Sequence, residues 1–238
     1  MDLRDVDYVA LPDEGRRFRE EFVVRLGDAN DDGLLRLDGV ARLLQDVATD
    51  DWNDTGTTSS DVWVVRRTTL RRTPATPWPR YLEHVGLTTW CGGVGAAWAE
   101  RRTNMDVDGR TVLEAVALWV PTDSSGHPVR MRDDFFQIYG EAVRRRKVPG
   151  RIGPPSSPEG SNRQAWPLRG SDIDLVGHVN NAAVWQAVSE VVSVPVDAVS
   201  VTHHAAIERD DAVTLAHAPG LAWLLVDDEV RVSIVSAL

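Results

Sequence analysis

Apolar residues fall on alternate positions at Phe18, Phe22, Val24 and Leu26, which predicts a strand. The polar run GDANDDG then predicts a turn. Leu34, Leu37, Val40, Leu43, Leu44 and Val47 recur at helical spacing, so a helix is expected from about residue 35 to 52. Four strands are expected next, at 62–71, 81–91, 95–105 and 111–121, with a hairpin turn at Asp106-Val107-Asp108-Gly109. Residues 141–165 carry RRRK and many Pro, Gly and Ser, the composition of a linker. The second half repeats the plan: a strand at 165–169, the polar turn SDIDLVGHVNN and a helix at 180–194. Strands at 199–208, 212–218, 221–226 and 230–235 follow. One helix followed by a run of antiparallel strands implies an α+β layer fold, a curved sheet wrapped on a helix.

The two halves also match residue by residue. Arg25, Asp28, Asn30, Gly33 and Leu34 lie 144 positions before Arg169, Asp172, Asp174, Gly177 and His178. VRRTTLRR at 65–72 aligns with THHAAIER at 202–209, 137 positions on. Such a repeat implies duplication into two packed copies. Where copy one has Asn30, Leu34 and Arg71, copy two has Asp174, His178 and Glu208, so any acid–base chemistry belongs to copy two.

Composition narrows the function. The 238 residues carry 26 Lys and Arg against 36 Asp and Glu, a formal charge of −10. That excludes broad nucleic-acid binding, which needs a basic footprint. A single cysteine, Cys91, excludes an internal disulfide and a cysteine-built zinc site. No apolar run reaches the roughly 20 residues of a membrane helix. With the acidic start MDLRDVDYVA, these features lead us to expect a cytoplasmic protein. No metal or cofactor motif is present: DANDDG lacks the Glu that closes a calcium loop, and His203 and His204 point to opposite faces of a strand.

Asp174 and His178 lie four apart on a Gly-containing turn that enters a helix. There a carboxylate can activate water or attack a carbonyl, and N–H groups near Val179, Asn180 and Asn181 can hold an oxyanion. The alternative is purely structural: Asn180 or Asn181 caps the helix while Asp172 or Asp174 shapes the turn. Glu208, at a strand end, can reach a neighbouring element or simply flank a hairpin. Trp78, Trp90, Trp98 and Trp119 all fall on expected strands or their flanks in copy one. They either fill the core or line an apolar tunnel.

SDIDLVGHVNNAAVW resembles the D-x-D-x-x-x-H-V-N-N motif of acyl-acyl-carrier-protein thioesterases. LLQDVATDDWNDTG, VWVVRRTTLRRTPATPWP and LWVPTDSSGHPVR extend the resemblance over most of the chain. It implies a tandem hotdog fold, with an N-terminal hotdog over 1–140 holding the acyl chain, a linker at 141–164 and a catalytic hotdog over 165–238. It implies hydrolysis of fatty acyl thioesters of acyl carrier protein, with Asp174, His178 and Glu208 catalytic, no cofactor, and Trp90, Trp98 and Trp119 along the acyl chain. Val176 and Arg209 replace the Asn and Cys of plant members, so a Cys nucleophile is excluded. The acidic carrier protein would dock on the Arg runs 66–67, 71–72 and 144–146. An acyl-CoA thioesterase and a non-catalytic acyl-binding hotdog are the alternatives. The absence of Pro from 168–194 disfavours a hotdog dehydratase. A tandem hotdog is an internal pseudo-dimer, compatible with a monomer or a homodimer.

Overall fold

The computed structural model describes residues 3, 6, 7, 9–57, 62–123, 125–140, 143, 146–150 and 152–237. The N-terminal half runs β1 (Arg17–Val23), α1 (Leu37–Asp54), β2 (Val62–Arg72), β3 (His84–Val94), β4 (Ala99–Val107), β5 (Arg110–Thr122) and α2 (Asp133–Tyr139). The C-terminal half runs β6 (Asn162–Ala165), α3 (Asn181–Ser189), β7 (Ala198–His203), β8 (Val213–Ala218), β9 (Leu221–Val226) and β10 (Glu229–Ala237). All ten strands form one sheet in the order β1-β3-β4-β5-β2-β7-β10-β9-β8-β6. Every pairing is antiparallel. The order within each half is therefore the same, and the halves join through β2 and β7. At that seam Thr69 faces Ser200, and their hydroxyls meet at 2.9 Å on a pseudo-two-fold axis.

The sheet curves around α1 and α3. The apolar stripe of α1 (Leu37, Val40, Ala41, Leu43, Val47) and that of α3 (Val184, Trp185, Ala187, Val188) share one core with strands of both halves. Helix α1 ends where Thr55 caps it and Gly56 takes a left-handed φ of +65°. The β4–β5 and β9–β10 hairpins close through Asp108-Gly109 and Asp227-Asp228, all at positive φ, the geometry of type I′ turns.

Three expectations are corrected, and one helix is additional to them. The strand expected at 165–169 lies at β6, because Pro167 has no N–H to continue the ladder with β8. Helix α3 stops at Ser189, short of 194, ahead of a β-branched run and Pro195. Helix α2 was not anticipated; its seven residues are too short to show a period. The 137-residue offset is also wrong. Arg71 sits inside β2 opposite Ala198, and the true copy-one counterpart of Glu208 is Arg80. Leu34 bridges Arg80 just as His178 bridges Glu208.

Candidate active site

The two copies of the turn are built alike. A short helical turn, Leu26–Asp28 or Gly170–Asp172, buries its aspartate, which accepts the N–H of Arg25 at 3.1 Å or of Arg169 at 2.9 Å. Gly33 and Gly177 supply positive φ, +74° and +87°. The backbone of Asp174 then pairs with that of His178: N–H donates to O at 2.9 Å.

On this frame Asp174 turns its Oδ1 back to accept the N–H of Val176 at 3.0 Å and of His178 at 3.3 Å. Its second carboxylate oxygen has no bond among the described residues. His178 Nε2 meets Glu208 Oε1 at 3.3 Å, with both side chains substantially exposed. The pairing is possible because Val179 N–H donates to Ile207 O at 2.9 Å, zipping the turn to the segment after β7. Asp174, His178 and Glu208 thus share one corner of the molecule. Leu175 and Val176 stand fully and largely exposed at its tip.

The oxyanion expectation narrows. Val179 N–H is engaged with Ile207 O, and Asn180 N–H donates to Asp172 O at 2.7 Å. Asn180 caps α3 by accepting Ala182 N–H at 2.8 Å. Of the three residues, Asn181 alone has a backbone N–H without a partner among the described residues, at the positive end of the helix.

The side chain of Asn181 leads inward. It lines a neck of about 20 Å³ with Trp185, Gln45, Thr103, Arg101 and Trp119. Arg101 and Trp119 also line a cavity of about 230 Å³ in the N-terminal half, beside Ala48, Trp52, Trp63 and Phe135. The cavity lies between α1, α2 and the inner face of β2–β5. One wall is polar. The buried Asp51 accepts Arg16 Nε at 2.6 Å, Arg101 Nη1 at 2.7 Å and the Tyr139 hydroxyl at 2.9 Å. Burial drives the Tyr139 hydroxyl far above the usual tyrosine range, so it stays a donor. Burial also lifts the Cys91 thiol to about 11, which leaves it a neutral wall residue.

Of the expected tryptophans, only Trp119 lines the cavity. Trp90 pairs with Arg102 and faces the other side of the sheet, because its neighbour Cys91 takes the inner position. Trp98 lies between Gly95 and Gly150, where a Cβ would come within 1.9 and 2.2 Å of the indole, and donates to Val148 O at 2.8 Å. It fastens the linker to the sheet. Trp78 lies between β2 and β3, where its indole donates to Leu35 O at 2.7 Å. Trp52 and Trp63, passed over in the sequence, are the other tryptophans of the cavity.

Several arginines of the expected dock make contacts within the fold. Arg144 and Arg145 lie outside the described residues. Arg146 is held by Glu100 at 2.5 Å and Asp7 at 3.2 Å. Arg66 donates to the carbonyls of His203 and His204, Arg71 pairs with Glu114, and Arg72 pairs with Asp197. These contacts orient the arginines and leave Arg71, Arg72 and Arg146 partly exposed. Among the described residues, no cluster of His, Cys, Asp and Glu could hold a metal, and no helix is long and apolar enough to cross a membrane.

Comparison with known proteins agrees with this architecture. The chain is 24% identical over 236 residues to Uncharacterized protein Rv2001 of Mycobacterium tuberculosis, covering 98% of this chain and 93% of the relative. It is similar in fold to the 12:0-ACP thioesterase of Umbellularia californica, with a TM-score of 0.75, 16% identity and 95% and 98% of the two chains covered. An acyl-ACP thioesterase of Bacteroides thetaiotaomicron superposes with a TM-score of 0.71 at 16% identity, covering 92% and 96%. The acyl-ACP thioesterase N-terminal domain profile matches residues 15–139, and the C-terminal domain profile matches 156–224. The chain therefore belongs to the acyl-ACP thioesterase family, thioester hydrolases that release fatty acids from acyl carrier protein.

Proposed function

We propose that the turn at 172–181 is the catalytic centre and that the cavity of the N-terminal half receives the acyl chain. The observation that carries this reading is adjacency. The helix end bearing Asn181 opens on the neck, and the neck shares Arg101 and Trp119 with the cavity. A thioester carbonyl at Asn181 would then send its chain inward and leave its thiol arm at the exposed corner.

The roles follow from the contacts. The unengaged oxygen of Asp174 takes a proton from water as the water attacks the thioester carbon. The negative oxygen that forms is held by Asn181 N–H, the kind of donor worth about 3 kcal/mol. The carbon–sulfur bond breaks, and the proton passes through His178 to the departing sulfur. Glu208 fixes the imidazole through Nε2, which leaves Nδ1 for the transfer. Fatty acid and thiol leave, and each protein group ends as it began.

A 150 Å³ apolar cavity accepts the six carbons of benzene. By that scale about 230 Å³ accepts about nine heavy atoms, so the preferred chain is of medium length, with about nine carbons in the cavity beyond those in the neck. Such an enzyme fits the cytoplasm and fatty acid synthesis. Each chain already supplies both hotdog halves, so a monomer can be active.

The test is thiol release from saturated acyl carrier protein thioesters of graded length, beside the matching coenzyme A thioesters. A medium-chain maximum on carrier protein is expected. Preference for coenzyme A, or no release by folded protein, would contradict the reading.

A further inference from the structure

The neck is polar in a way that a plain hydrocarbon chain does not explain. Trp119 Nε1, Trp185 Nε1 and Asn181 Oδ1 are all buried without a hydrogen-bond partner, and all three residues line it. Trp185 is wholly buried, at 0% exposure. Buried polar groups are nearly always satisfied in native proteins, so three orphans around one constriction need a reason. Arg101 adds to them. Of its five N–H groups, two serve Asp51 and Thr89 from Nη1 and one serves Tyr139 from Nη2. The remaining two have no partner among the described residues.

The inventory is specific: indole N–H groups that need an acceptor oxygen, and one amide oxygen that needs a donor. A hydroxyl satisfies both kinds. Placed in the neck, its oxygen would accept from Trp119 and Trp185, and its proton would go to Asn181 Oδ1. A methylene leaves all three unsatisfied, and a keto oxygen satisfies only the donors. Since the neck begins at Asn181, three residues past His178, such a hydroxyl belongs near the thioester end of the chain.

We infer that the acyl group this enzyme prefers carries a hydroxyl a few carbons from the thioester, held in the neck by Trp119, Trp185 and Asn181. The inference rests on the proposed placement of the acyl chain and names the class of substrate it takes.

The test compares medium-chain thioesters of equal length that are plain, hydroxylated at the second, third or fourth carbon, or oxidised to a ketone there. The matching free acids are measured for binding by calorimetry, which needs no turnover. One hydroxylated isomer should exceed the plain thioester in kcat/KM, and its acid should bind tighter, by about tenfold or more, as expected of a site built to bond a hydroxyl. The keto analogue should fall between them. Trp185→Phe removes one indole donor and should lower the ratio of hydroxylated to plain substrate. If plain chains equal or exceed every hydroxylated isomer in both turnover and binding, the inference is overturned, and the neck, the size of one water molecule, holds water instead. Tighter binding of a hydroxy acid with no thiol release from any thioester would sustain the ligand class and remove the catalytic reading.

Discussion

Asn30 and Asp174 stand at the same place in the two copies of the turn and perform the same structural task. Asn30 Oδ1 accepts the N–H of Leu34 at 2.8 Å, and Asp174 Oδ1 accepts that of His178 at 3.3 Å. The turn therefore needs an oxygen but not a charge. The charge on Asp174, and the exchange of Leu34 for His178 and of Arg80 for Glu208, are what copy two adds.

Glu208 holds His178 at the surface, where an ion pair contributes little to stability, about 1 kcal/mol or less. Glu208→Gln should leave the melting temperature nearly unchanged. It should lower kcat by about a hundredfold, the low end of the range for acid–base catalysis. Unaltered turnover would remove Glu208 from the site.

Ala99 projects from β4 into the cavity and is almost fully buried. Ala99→Leu adds three carbons to the wall. The preferred chain should shorten by about three carbons, since cavity volume and chain volume exchange directly. Assay across chain lengths checks this, and an unmoved optimum would place the acyl chain elsewhere.

His203 lies at the end of β7 with Nε2 enclosed and unpartnered. Burial, with Arg66 and His204 adding repulsion, lowers its pKa from 6.5 to about 4. The unfolded chain therefore takes up this proton first. The stability involved is fully present above about pH 6.5 and is lost as pH falls toward 4, up to about 3 kcal/mol. Urea unfolding at pH 7 and pH 5 should show a smaller difference for His203→Gln than for the wild type. Equal differences would contradict the assignment.

The tandem plan and the paired turns at 25–34 and 169–178 were legible in the sequence because both rest on local pattern. Periodicity marks α1 and β2–β5, and the repeat of Arg, Asp, Gly at fixed spacing marks the two turns. Pairing and facing were not legible. Whether Trp90 or Cys91 faces the cavity depends on strand register, which a single chain does not display. Trp52 and Trp63 meet only because α1 and β2 pack together, with rings 5.9 Å apart. The partners of the arginine runs, such as Glu100 and Asp197, were not legible either, because they are far away in sequence. Val179 and Asn180 could not serve as oxyanion donors for a similar reason: their acceptors, Ile207 O and Asp172 O, are set by the fold.

The central claim is that the carboxylate of Asp174 does chemistry beyond shaping its turn, and Asp174→Asn tests it most directly. The substitution keeps the oxygen that Asn30 already uses in copy one and removes only the charge. We expect folding and melting temperature to be retained while thiol release falls by at least about a hundredfold. A variant that keeps more than about a tenth of wild-type turnover, far less than the loss of a catalytic base would cost, would show that Asp174 only supports the turn.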